Sequence, residues 1–169
     1  MKLITVQHEN VLATLNCGNT YTADISRVSD NLIEPYKRMM SKYNYTSAPV
    51  FCGVVGRKTE FYGAKLEDTI ILEIEVPDDL VNLQVYYDWS DVIFFMEIPE
   101  EWNGTISLEQ FIRDTLNGVN TNDDKYAIQA TIPYIKPEWL LNSYKISDTF
   151  QTLHYGSGGA NILKETSYQ

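Results

Sequence analysis

Hydrophobic residues in this chain are grouped in short runs, and the period within a run is the first guide to its structure. From Thr69 to Val76 they alternate, with Ile70, Leu72, Ile74 and Val76 on one side and Ile71, Glu73 and Glu75 on the other. A period of two in a β-branched run predicts a strand with one buried face. Pro77 cannot donate to a sheet ladder and predicts the strand's end. Val92 to Ile98 (VIFFMEI) and Tyr126 to Ile132 are two further apolar runs, also expected as buried sheet segments. All three are followed by the same punctuation: Val76-Pro77-Asp78-Asp79-Leu80, Ile98-Pro99-Glu100-Glu101-Trp102 and Ile135-Lys136-Pro137-Glu138-Trp139. Proline near a first helical position, acids in the first turn and a large apolar anchor predict a strand-to-helix corner. On this reading the carboxylates answer unpaired N–H groups at helix starts and do not form a catalytic cluster.

The other elements follow from similar signals. Lys2 to Val6 reads as a first strand. His8 to Asn16 reads as a short helix with Val11, Leu12 and Leu15 on one face and Gly18 just past its end. Asp30 or Asn31 is placed to cap a helix running to about Tyr43, with Leu32, Tyr36, Met39, Met40 and Tyr43 at helical spacing. Pro35 is compatible with that helix if it falls in or next to the first turn. Val50 to Val55 reads as a buried strand in which Gly53 suggests a bulge or a close approach, and Gly56 to Leu66 as a polar loop or hairpin. Ser107 and Gln110 form a capping box that opens a helix carrying Leu108, Phe111, Ile112 and Leu116, closed by Gly118. Pro137 to Leu141 is expected as a turn of helix and Tyr144 to Phe150 as a last strand. The whole predicts an α+β fold: a twisted, mostly antiparallel sheet of five to seven strands with packed helices. Residues 1–153 are expected to form a single domain, and 154–169, rich in Gly and Ser, a flexible C-terminal tail.

Composition narrows the function more than the fold. Thirteen basic against 23 acidic residues give a net charge of −10, which disfavours direct binding to a phosphate backbone. The acids are scattered along the chain and not collected in one block. No apolar run approaches the roughly 20 residues that span a bilayer, and no secretory apolar core follows Met1. The expectation is a cytoplasmic protein without a membrane partner. Cys17 and Cys52 lack metal-ligand spacing and are expected as free thiols.

Tests for catalytic constellations return little. Only His8 and His154 are present, so a metal centre is not expected. There is no Gly-x-Ser-x-Gly elbow, and Gly156-Ser157-Gly158-Gly159 lacks the flanking strand, helix and lysine of a phosphate loop. The most unusual local composition is Tyr86-Tyr87-Asp88-Trp89-Ser90-Asp91. Aromatic residues with a polar handle dominate recognition surfaces. Tyr86, Tyr87, Asp88, Trp89 and Asp91 are therefore the candidate binding residues, and half-buried aromatics at a corner are the structural alternative.

Two resemblances can be drawn. The strand ending in Gln7, the helix with Gly18, Pro49-Val50-Phe51-Cys52, and Leu72 to Asp79 leading on to Asp88-Trp89 resemble an uncharacterised domain-of-unknown-function family of small bacterial and phage proteins. The likeness covers residues 1 to about 145 and implies no activity. It implies a bacterial or phage setting, in which a small acidic protein would bind a host protein in the host cytoplasm, or sequester a small nucleotide-like ligand, to take over or disarm the host. A weaker resemblance is to the ADP-ribosyltransferase fold, carried by the Val76 to Leu80 and Ile98 to Trp102 corners. It implies an enzyme using NAD, with His8 past the first strand, Tyr21 as the supporting aromatic and Glu100 or Glu101, Glu101 for preference, as the acid that orients the ribose. The first reading needs no cofactor and no catalytic residue.

Overall fold

The computed structural model describes residues 1–61, 68–146, 153–155 and 167–168. Two seven-residue strands form the centre of the sheet. β1 (Lys2–His8) and β4 (Thr69–Glu75) run antiparallel in register along their whole length, from Lys2 opposite Glu75 to His8 opposite Thr69. On the other side of β1 lies β2 (Val50–Val54), followed by β6 (Ile128–Ile132) and, at the edge, β5 (Asn82–Val85). On the far side of β4 lies β7 (Leu140–Ile146), extended by the two-residue β9 (Ser167–Tyr168). Every neighbouring pair is antiparallel. A separate two-stranded ladder joins β3 (Thr59–Phe61) to β8 (Leu153–Tyr155). The expected α+β class, with a twisted, unclosed antiparallel sheet and packed helices, is what the chain adopts.

Strand alternation sends the apolar residues to two different places. Leu3, Val50, Cys52, Val54, Leu72, Ile74, Ile128, Ala130 and Ile132 share one face, where α1 (Glu9–Asn16) packs Val11 and Leu15 on them. His8 caps α1, its Nδ1 accepting from the Asn10 N–H, and Gly18 follows the helix at φ +79°. The opposite face carries Phe51 and is covered by α2 (Asp30–Tyr43), α3 (Tyr86–Glu97) and α4 (Leu108–Leu116). Met39, Trp89, Val92, Ile112 and Leu116 are the buried centre of that layer. An ion pair between Arg38 and Glu109 links α2 to α4.

The contact between this helical layer and the sheet is partly polar. On β5 and β6, Asn82, Gln84, Gln129 and Thr131 point toward the helices, and Gln84 and Thr131 are wholly buried. Gln129 Nε2 donates to Gln84 Oε1 at 3.2 Å, and Gln84 Nε2 donates to the Tyr43 hydroxyl at 2.8 Å and to Thr131 Oγ1 at 3.2 Å. The Tyr43 hydroxyl in turn donates to the Leu116 carbonyl at 2.8 Å. Beside it, Asn82 Nδ2 donates to the Tyr45 hydroxyl at 2.9 Å, which donates to the Thr131 carbonyl at 3.0 Å. A buried amide without partners is costly, so this chain of bonds demands one placement of α2 and α4 over the sheet. Burial pushes the Tyr43 phenol up to about 12, and it remains a neutral donor.

Several expectations are corrected. Val92 to Ile98 is not a sheet segment: Val92 to Glu97 form the second half of α3 and Ile98 its C-cap. Trp89, Val92 and Met96 lie at helical spacing on the core side, but Phe94 and Phe95 fill the intervening positions and hide that period. The second corner is therefore a helix running into a 3-10 turn, Pro99–Glu101. The first and third do leave strands, but for single 3-10 turns, Asp78–Leu80 and Pro137–Trp139, and not full helices. Strand β5 was not anticipated, because half of its four residues are polar. Ser29, not Asp30 or Asn31, occupies the N-cap of α2, with no side-chain bond there, which puts Pro35 one or two residues deeper, at the sixth helical position, just past the first turn. Ser107 Oγ does accept from the Gln110 N–H at 3.1 Å. Residues 62–67 of the expected loop, 147–150 of the expected last strand and most of the expected tail lie outside the described residues. Of that tail, His154 and Tyr155 pair with Glu60 and Thr59, and Ser167 and Tyr168 with Ile146 and Lys145.

Replacing Tyr43 by phenylalanine removes the hydroxyl on which Gln84 and the Leu116 carbonyl depend. Tyr43→Phe is expected to cost about 1–2 kcal/mol, read as a lower urea midpoint with an unchanged slope.

Candidate functional site

The aromatic–acidic stretch turns out to be the first half of α3, which starts at Tyr86 directly after Val85 of β5. The Tyr86 N–H donates to the Ala127 carbonyl at 2.8 Å, so the helix springs from the edge of the sheet without a loop. Its five candidate residues are distributed around the helix. Trp89 is 3% exposed and sits among Tyr36 and Phe51, with ring centroids 6.5 and 6.2 Å away. It anchors α3 to the core and presents nothing to a ligand. Tyr86 is half-buried, stands edge-on to Tyr87 at 5.3 Å, and accepts from Ser90 Oγ through its carbonyl. Tyr87 is 48% exposed, Asp88 half-buried and Asp91 exposed.

At 100° per residue, Tyr87, Asp91, Phe94 and Ile98 fall on one stripe of α3. Phe94 is 52% exposed, the most open of the large apolar side chains among the described residues, and sequence reading passed it over. Its spacing of seven from Tyr87 would have revealed it, had Val92 to Ile98 been taken as helix. Just beyond the stripe, Trp102 holds the end of α3 in place. Its indole stands edge-on to Phe95 at 5.1 Å, packs on Phe111 of α4 at 4.9 Å, and donates through Nε1 to the Ile106 carbonyl at 2.8 Å. Gly104 lies flat on that ring, where a Cβ would overlap the indole.

Electrostatics on this face are one-sided. Between Lys65 and Arg113 the chain has no lysine, arginine or histidine, yet twelve of its 23 acids fall there. Burial, reinforced by the charge of Asp91, raises the Asp88 carboxyl above the usual aspartate range, and burial raises Asp91 as well. The position of Asp88 in the first turn of α3 works in the opposite sense, favouring the carboxylate. Among the described residues, no cation lies within ion-pair distance of Asp88, Asp91, Glu97, Glu100 or Glu101.

His8, Tyr21 and Glu101 occupy separate structural settings. His8 ends β1 and caps α1. Tyr21 is half-buried and joined to Ile135 by backbone hydrogen bonds; burial raises its phenol, against the opposing charge of Arg27. Glu101 lies in the 3-10 turn after α3. No hydrogen bond, ion pair or ring contact joins any two of the three. Cys52 is buried and its thiol is pushed up to about 12, whereas Cys17 is exposed. Among the described residues there is no group of three or more His, Cys, Asp or Glu arranged to hold a metal ion. No described helix is long and apolar enough to cross a membrane.

A carboxyl raised by folding contributes its full stability while protonated, below the ordinary aspartate value of about 3.9, and loses it as the pH rises through the raised value. Asp88→Asn is therefore expected to raise the urea midpoint at about pH 7 and to give no gain at about pH 3. Water screens a half-exposed carboxylate, which limits the gain to about 1 kcal/mol or less.

Compared with protein-family models, curated proteins and solved structures, the chain matches none of them.

Proposed function

We propose that this protein is a binding protein and not a catalyst, and that it engages another protein through the outward face of α3. The observation that carries this reading is Phe94, a large ring held 52% exposed on the same stripe as Tyr87 and Asp91. Exposed aromatics that are rigidly mounted serve as anchors in protein recognition because they bring large apolar area at little entropic cost. Here the mounting is firm: Trp89 pins the inner side of α3, and the Trp102 cluster pins its end. A helix ridge is convex and suits a protein surface better than a small molecule, which needs a concave site. In the bacterial or phage setting that the family likeness implies, the partner is a host protein whose surface the acidic chain occupies.

The experiment compares two exposed apolar residues. Immobilised protein is expected to retain one discrete protein from bacterial lysate. Phe94→Ser should weaken that complex by about 2 kcal/mol, roughly thirtyfold. Leu141→Ser, at a comparably exposed position on β7, should leave it intact, with helical circular dichroism unchanged in both. Equal retention by the two variants would remove α3 as the interface.

A further inference from the structure

We infer that the occupant of the α3 face is an amphipathic helix bearing lysine or arginine, with one of its cations set against Asp91. The inference rests on reading α3 as an interface and adds the chemistry of the partner. Tyr87, Asp91, Phe94 and Ile98 are spaced four, three and four apart, which is the seam of a helix that pairs with another helix. Over this seam, about 17 Å long at 1.5 Å per residue, three positions are aromatic or aliphatic and one is a carboxylate. A polar group at a seam position specifies the register and identity of the partner, and a carboxylate there calls for a cation. The flanks point the same way. Asp88 and Glu97 border the seam, Glu100 and Glu101 follow it, and none of the four has a cation at ion-pair distance among the described residues. α3 itself contains no basic residue.

The same charges argue against the other occupants. A second copy of this chain would bring two −10 charges and two α3 faces that carry acids and no base together, and like charges facing across an interface cost several kcal/mol. A nucleic acid is repelled for the same reason. A basic amphipathic helix covers the exposed Phe94 ring and brings cations to acids that have none at ion-pair distance among the described residues.

The test uses the full chain, isotopically labelled, and three probes at about physiological ionic strength. These are an 18-residue leucine–lysine amphipathic helix, its leucine–glutamate counterpart, and an oligolysine of equal charge. The leucine–lysine helix is expected to bind one-to-one with amide shifts concentrated on residues 87–98. Phe94→Ser should weaken it about tenfold and Asp91→Asn about fivefold. Glu138→Gln, an exposed acid in the turn before β7, should leave it unchanged. If the leucine–glutamate helix binds the same residues as tightly, the basic partner is overturned while α3 stands as an interface. Oligolysine binding as tightly as the leucine–lysine helix would also overturn it, since the seam would then play no part. If shifts fall away from α3, or none of the probes perturbs it, the interface reading fails and this inference fails with it.

Discussion

Beneath α2 and α4, where a protein of this size would ordinarily place aliphatic side chains, two glutamines and a threonine are buried in one hydrogen-bonded chain, and Gln84 and the half-buried Asn82 tie it to two tyrosine hydroxyls. Apolar contacts are tolerant of sliding, but these bonds are not: a shift of α2 by an ångström would break the bonds that Tyr43 makes to Gln84 and to the Leu116 carbonyl. The helical layer is held in one position by direction as well as by area. α3 inherits that position, because it lies against both neighbours and buries Trp89 among α2 and β2 residues. The orientation of its outer face follows from a network on its inner side.

How much of this was readable beforehand depended on whether local pattern and tertiary role agreed. Thr69 to Glu75 were legible because one face is uniformly apolar and Pro77 ends the run. Ser107 was legible as a cap because its bond to the Gln110 N–H acts within four residues, although the Gln110 side chain turns to Asp114 and does not complete the box. Val92 to Glu97 misled because a helix with rings on its outer side and core residues on its inner side is apolar all round, and so has no period to read. β5 was illegible for the opposite reason. Asn82 and Gln84 look like loop residues, and only the phenols of Tyr43 and Tyr45, some forty residues away, make them acceptable in a core. At the candidate site, the unusual composition of residues 86–91 drew attention to the right helix. It could not separate Trp89, which is structural, from Asp91, which faces solvent, because that separation is set by a 100° rotation between residues.

The charge distribution has a similar logic. Read along the chain, no block of acids stands out, but those of α3 and its following turn have no cation at ion-pair distance among the described residues. Local neutralisation does occur elsewhere, as where Arg57 reaches the Thr121 carbonyl and Asp124, or where Lys136 lies near Glu138. Among the described residues, no cation lies at ion-pair distance from the acids near Phe94.

The strand order also bears on how the molecule is made. β6 lies between β5 and β2, so the strand that joins the edge to the centre is synthesised after both of its neighbours. Until Ile132 has left the ribosome, β2 presents an open row of amides and carbonyls, and Gln84 has neither Gln129 nor Thr131 to bond. Nascent chains elongate at about 5–20 residues per second, so this half-built state persists for seconds. Throughout that interval the growing polypeptide carries an exposed, partly polar sheet edge of the kind that recruits other strands. The topology thus leaves the centre of the sheet open until its third-from-last main strand arrives, whatever the stability of the finished fold.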